Sequence, residues 1–243
     1  MEKIFKRSRT NTVRLQKFLA DAGLASRRTC EEWILKGWIK VNGRVERVLG
    51  TKVDLYKDRV QCKGRLVRQA DKVYYALHKP RGYICTNKDP QGRKRAIDLI
   101  LKKKQKVFTI GRLDVTSEGL ILVTNDGAFA QRIIHPSKNI EKEYIVRVDK
   151  PMELADQLRL MAGMTLRDGV FRCKKLHVSE SDKDQIQLVI HMGRNRVIRR
   201  AFQKLGYHVK NLKRIRIGRL KLKNLKPGDY RSLTSDEINF FES

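Results

Sequence analysis

A chain with 55 Lys and Arg against 26 Asp and Glu cannot neutralise itself by pairing its own side chains, whatever fold it takes. The excess of +29 must stand at the surface or meet a counter-charge from outside. On a soluble chain that excess points to a polyanion, nucleic acid first. An acidic membrane surface is the competing polyanion. No segment, however, forms a long basic amphipathic helix with Trp, Phe and Leu on one face. No window approaches the ~20 consecutive apolar residues of a membrane span. The basic residues of Met1–Arg14 are not followed by an apolar run, so the pattern of a secretory signal is missing there.

A hydrophobic fraction of 40% supplies a real core, and 243 residues point to two domains. The cysteines Cys30, Cys62, Cys85 and Cys173 contain no C-x-x-C pair. Free thiols packed as small hydrophobes in a reduced, cytoplasmic setting are expected. The five histidines show no metal-ligand spacing with these cysteines, so no metal site is expected.

Residues 1–13 form a polar, basic arm with Lys3, Lys6, Arg7 and Arg9 against Glu2. Leu15, Phe18 and Leu19 fall at helical spacing and predict a helix from Arg14 to Asp21, ended by Gly23. Ser26 is an N-cap for a second helix to about Lys36, with Cys30, Trp33 and Ile34 as its apolar stripe. Trp38 to Val41 is strand-like, and Asn42-Gly43 is a hairpin turn. Short strands follow to Val67, and the polar stretch Arg68–Lys72 marks a domain boundary, giving domains 1–68 and 72–243.

In the second domain, strands are expected at 73–78, 83–86, 120–125, 143–149, 173–179 and 185–191. Helices are expected at 126–134 (opened by Asp126), 152–161 and 194–205. Val209 to Leu225 is strand-rich and holds Lys210, Lys213, Arg214, Arg216, Arg219, Lys221 and Lys223 without an acid. Thr234 to Glu237 is a capping-box pattern opening a last helix. Sheet with interspersed helices predicts an α+β fold.

Three segments carry candidate chemistry. In Gly111-Arg112-Leu113-Asp114, the carboxylate either caps a turn through the Thr116 and Ser117 amides or stands ionised in a cleft beside cations, ready to attack. In Lys142-Glu143-Tyr144-Ile145-Val146, alternation puts Lys142, Tyr144 and Val146 on one face. The tyrosine either packs or stacks on an unpaired base. In Gly193 to Phe202, Val197, Ile198, Ala201 and Phe202 share one helical arc while Arg196 and Arg199 project from the other side. That charged side is either solvated or meets phosphate.

Together these segments resemble the motifs of RNA pseudouridine synthases, in the RsuA/RluB/RluE/RluF branch. The resemblance rests on Gly111-Arg112-Leu113-Asp114 with Gly119-Leu120, on Lys142-Glu143-Tyr144, and on Gly193-Arg194-Asn195-Arg196 with Arg199-Arg200. Tyr75 to Leu99 is similar to the opening of that catalytic domain, and its Cys85 to Arg93 stretch is closest to members acting on large-subunit (23S) ribosomal RNA. Arg14 to Arg44 resembles a small S-four-like RNA-binding module shared with a small-subunit ribosomal protein.

The resemblance implies an S-four-like module followed by a mixed, mainly antiparallel β-sheet catalytic domain with flanking helices. It also implies roles. Asp114 would attack the target uridine at ribose C1′ or base C6, after which the base is rotated and rejoined through C5 without cofactor or metal. Arg112 would fill the gap left by the flipped nucleotide, Tyr144 would stack on the uracil, and Arg199 would pair with Asp114. Contacts to ribosomal RNA are expected from Arg14, Lys17, Arg27, Arg28, Lys40 and Arg44 in the module and from Arg194, Arg196 and Arg200 in the larger domain. A monomer is expected. The competing expectation is a non-catalytic RNA-binding protein of ribosome assembly or stress response.

Overall fold

The computed structural model describes residues 11–101 and 105–242. Lys3, Lys6, Arg7 and Arg9 of the basic arm lie outside the described residues. The chain divides into two compact units, Met1–Asp71 and Lys72–Ser243.

The first unit runs β1 (Thr12–Arg14), α1 (Leu15–Asp21), α2 (Arg27–Leu35), β2 (Ile39–Val41), β3 (Arg44–Glu46), β4 (Lys52–Asp54), β5 (Val60–Cys62) and β6 (Arg65–Leu66). Its sheet has the order β3-β2-β5-β6, and β1 pairs with β4. Local chemistry explains most of these boundaries. Ser26 Oγ accepts the Thr29 amide at 3.2 Å and starts α2. Asn42 and Gly43 both take positive φ, 52° and 83°, as a tight hairpin matched to strand twist requires. The side-chain oxygen of Asn42 also accepts the Arg59 amide at 2.9 Å, tying the next loop to the turn. The two helices and the sheet bury Leu15, Leu19, Cys30, Ile34, Ile39, Val53 and Val60 as one core.

The second unit contains β7 (Tyr74–Lys79), β8 (Phe108–Ile110), β9 (Glu118–Thr124), α3 (Gly127–Ile134), β10 (Lys142–Val148), α4 (Leu154–Ala162), β11 (Met164–Leu166), β12 (Gly169–Phe171), β13 (Lys175–Val178), β14 (Gln185–Ile190), α5 (Val197–Lys204), β15 (Val209–Ile217), β16 (Leu220–Lys221), β17 (Tyr230–Ser232) and α6 (Ser235–Glu242). The main sheet has the order β13-β14-β10-β15-β9-β7-β17, with β16 on β15 and β8 on β9. Its pairs are antiparallel except β15 with β9. The fold is therefore α+β with a mainly antiparallel sheet.

Strand alternation divides the core into two layers. Ile121 and Val123 of β9 pack with Tyr144, Val146 and Val148 of β10 and with Val197, Ile198, Ala201 and Phe202 of α5. Leu120 and Leu122, on the other face of β9, pack with Phe129 and Ile133 of α3 and Phe241 of α6. Asp126 caps α3 by accepting the Ala128 and Phe129 amides. Thr234 and Glu237 cap each other's backbone amides at the start of α6.

Some expectations give way to tertiary structure. The strand expected at 83–86 is a single parallel bridge between Ile84 and Arg95. Thr86 turns the chain locally by bonding Lys88 through its hydroxyl, which competes with a ladder. The helix expected from 194 starts at Val197, because Arg196 takes a left-handed conformation at φ 47°. The hairpin of β11 and β12 was not expected. All four cysteines are free thiols, and burial pushes the Cys173 thiol up to about 11. Among the described residues no helix is long and apolar enough to cross a membrane.

The single parallel pair depends on Gly119. A Cβ there would sit 2.3 Å from the Arg214 carbonyl oxygen and 2.5 Å from its amide nitrogen, and the residue has φ +112°. Both facts oppose any side chain. Gly119→Ala is therefore expected to cost at least about 3 kcal/mol of unfolding free energy, measured by urea denaturation. An unchanged midpoint would contradict this account of the β9–β15 contact.

Candidate active site

Asp114 lies in the turn between β8 and β9, and the backbone of that turn is held from several sides. Lys79 at the end of β7 is fully buried, and its ammonium donates to Pro80 O at 2.9 Å, Asp114 O at 3.1 Å and Ser117 O at 2.7 Å. The Gly82 amide donates to Val115 O at 2.8 Å. Thr116 O accepts from Arg81 at 3.1 Å and from Arg199 at 3.3 Å. Each carbonyl from Asp114 to Ser117 therefore has a donor, and three of the donors are cations. Charge-assisted bonds of this kind are the strong ones. Burial pushes the Lys79 ammonium below its ordinary value, against the attraction of Asp114 among other groups.

The carboxylate itself is left out of this frame. The turn closes through the Asp114 carbonyl, which accepts the Ser117 amide at 3.0 Å, and not through the side chain. Of the two local readings of this residue, the capping one is thus excluded. Among the described residues the carboxylate forms one ion pair, with Arg196 Nη1 at 3.9 Å, and the side chain is 25% exposed. An ionised, partly open acid beside cations can act as a nucleophile.

Arg199 does not form the ion pair with Asp114 that the motif resemblance implies. Its guanidinium donates to Val209 O at 2.8 Å, Thr116 O at 3.3 Å and Ser117 Oγ at 3.4 Å, binding α5 to β15 and to the Asp114 turn. Burial pushes Arg199 below its ordinary range, and nearby Arg196 adds to this while Asp114 opposes it. The close cation is Arg196 because the left-handed residue before α5 turns that side chain toward the acid.

The three motif segments meet in one core layer. Leu113 is buried with Tyr144, Val197 and Ile198. Tyr144 is 6% exposed. Its register partner on β15 is Arg214, which in turn stands beside Gly119 on β9. Arg214 is buried, donates to Leu120 O at 2.7 Å and reaches the Tyr144 hydroxyl at 3.5 Å. Lys142 bonds Ile140 O and His191 O, and burial with the nearby Arg214 charge lowers it to about 8. Arg112 is exposed on the Asp114 loop.

Two of the expected phosphate contacts have another partner. Arg200 makes a bidentate pair with Asp168 at 2.8 and 2.7 Å. Arg194 bonds the Asp168 and Val170 carbonyls. Both side chains fasten the β11–β12 hairpin, so their charge is met locally instead of standing free for RNA. In the first unit, Lys17 is paired with Asp21, whereas Arg14, Arg27, Arg28, Lys40 and Arg44 form no ion pair among the described residues. Lys79 and Arg81 carry no site expectation from the sequence beyond Lys79-Pro80-Arg81 directly after an apolar strand, and Arg214 figures there only as one cation of the acid-free stretch 209–225. Among the described residues, no group of three or more His, Cys, Asp or Glu could hold a metal ion.

The Arg200 guanidinium holds the Asp168 carboxyl below the usual carboxylate range. A lowered folded value contributes stability above the unfolded value and loses it as pH falls through the folded one. Asp168→Asn is expected to lower the urea midpoint at pH 7, with the gap to the parent chain closing below about pH 4. A pH-independent gap would contradict the ion-pair role.

Residues 73–204 match the family described as RNA pseudouridylate synthase, and residues 13–60 match the S4 domain. The chain is 42% identical over 231 residues to the ribosomal large subunit pseudouridine synthase B of Bacillus subtilis, covering 93% of each chain. It is 39% identical to an uncharacterised RNA pseudouridine synthase of Aquifex aeolicus, covering 93% of this chain and 92% of that one. A crystal structure of a pseudouridylate synthase superposes with a TM-score of 0.67 at 29% identity, over 94% of this chain and 99% of that one. With these matches, the chain belongs to the RNA pseudouridylate synthase family and carries an S4 domain ahead of the synthase domain.

Proposed function

We propose that this protein isomerises a uridine of large-subunit ribosomal RNA to pseudouridine, with Asp114 as the nucleophile. The observation that carries the reading is the Asp114 carboxylate, accepting no hydrogen bond from the described residues on a turn whose every carbonyl is held. The reaction breaks the bond from C1′ to N1, rotates the base and forms a bond from C1′ to C5; the C5 proton leaves and N1 takes up a proton, so the composition is unchanged. It is redox-neutral and consumes no co-reactant. Attack at C1′ or at C6 suits the same acid.

The target base must first leave its helix, at a cost of a few kcal/mol. Arg112, exposed beside Asp114, fills the vacated position. Tyr144 offers its ring to the extruded uracil, and stacking returns about 1–3 kcal/mol. Arg196 stands 3.9 Å from the carboxylate as its counter-ion, and Arg199 holds the turn that carries it. The free cations of the first unit, Arg14, Arg27, Arg28, Lys40 and Arg44, dock on ribosomal RNA through phosphate, while the second unit carries the chemistry. The working form is a cytoplasmic monomer that uses neither metal nor cofactor. A purely RNA-binding protein would account for the first unit but not for the family match over 73–204.

The test is release of tritium from C5 of uridine-labelled ribosomal RNA. Asp114→Asn should abolish release with RNA affinity intact; a variant that still releases tritium would refute the assignment. Tyr144→Ala should lose roughly 5- to 150-fold, the equivalent of ~1–3 kcal/mol of stacking, while Tyr144→Phe keeps activity within about threefold because the hydroxyl makes only the long bond to Arg214. A dead Phe variant would contradict the stacking role. Arg27→Gln with Arg28→Gln should weaken binding and flatten its salt dependence by about 1–2 in log–log slope, and an unchanged slope would count against docking by the first unit.

A further inference from the structure

The cation-rich stretch 209–225 is only partly used by the catalytic arrangement. Arg214 turns into the core beside Tyr144, and Arg219 lies over the Phe240 ring at 5.0 Å. Lys213, Arg216, Lys221 and Lys223 instead line a groove of about 340 Å³ together with Glu143, Ile145, Gln187, Ile215 and Leu222. Tyr144 and Ile145 are consecutive on β10, so the groove lies on the sheet face opposite the one that carries Tyr144. Around Ile145 and Ile215 neither core layer covers this face, and both side chains stay half-exposed.

The charges in the groove do not cancel. Its one acid, Glu143, is paired with Arg216 and accepts from Gln187. The Arg216 guanidinium also meets Glu141. Lys213, Lys221 and Lys223 form no ion pair among the described residues. Three ammonium groups without a contact ion pair, around an aliphatic floor, match a phosphodiester chain, with phosphates on the lysines and sugar over the two isoleucines. There is no aromatic platform for stacking in the lining and little beyond Gln187 to read base edges, so contact here is indifferent to sequence.

We propose that this groove is a second RNA-binding surface, which holds the backbone of a segment flanking the target uridine in the same ribosomal RNA. The proposal rests on the reading that the substrate is ribosomal RNA. Since the groove and Tyr144 are on opposite faces of one sheet, the segment held here is not the target nucleotide. The full substrate is then larger than the segment that contains the uridine.

The test uses the full chain with Lys213, Lys221 and Lys223 all changed to Gln, checked for an unaltered thermal midpoint. Affinity is measured against salt for two protein-free transcripts, the shortest hairpin that the enzyme modifies and a longer fragment around it. On the longer fragment the variant should bind more weakly, with a log–log salt slope shallower by about 2–3 for three lost phosphate contacts. On the hairpin, binding and tritium release should be unchanged. Changing the same three residues to Arg should restore the slope, which a packing defect would not permit. Unchanged binding of the longer fragment overturns the proposal. Equal loss on the hairpin overturns it too, because the groove then grips the target itself. Failure of the parent chain to release tritium from either transcript would sink the synthase reading while leaving the slope comparison to decide the groove.

Discussion

Cations gripping a backbone turn are the interaction on which the site depends. Lys79, Arg81 and Arg199 come from β7, the loop after it and α5, and all three donate to carbonyls between Asp114 and Ser117. Lys79 is buried with three carbonyl partners, which satisfies the three donors of an ammonium. The arrangement spares the Asp114 side chain from structural work. A carboxylate that capped its own turn would be rigid but less available; here rigidity is supplied through the main chain.

The same economy of charge runs through the second unit. Several arginines that look interchangeable in the sequence differ in what they meet. Arg200 and Arg194 close the β11–β12 hairpin through Asp168, Arg216 meets Glu143 and Glu141, and Arg214 is buried against Leu120 O. Those side chains are parts of the fold. Arg112 and the lysines of the reverse groove form no ion pair among the described residues, and Arg196 meets only Asp114. Net charge alone, +29, does not distinguish the two groups.

Legibility in the sequence followed the range of the interactions. Ser26, Asn42-Gly43, Asp126 and Thr234 act within a few residues of themselves, and their caps and turn could be placed from spacing. The three motif segments were recognisable too, since their residue types are local. What joins them was not. Lys79 meets Asp114 across 35 positions and Arg199 meets Thr116 across 83, and no periodicity encodes such contacts. Gly119 was visible as part of a motif, but its reason lies in the Arg214 backbone on another strand. The start of α5 shifted to Val197 because Arg196 takes a left-handed conformation, and the preceding Arg194 bonds the β11–β12 hairpin, an element the sequence did not announce.

The most direct measurement is single-turnover isomerisation by Lys79→Gln beside its affinity for ribosomal RNA. The buried ammonium touches only carbonyls, so its loss should loosen the Asp114 turn and slow the chemical step by roughly tenfold or more, about 1.4 kcal/mol per tenfold, with RNA affinity unchanged. A folded Lys79→Gln protein that reacts at the parent rate would contradict the claim that the cationic grip on this turn aims the acid.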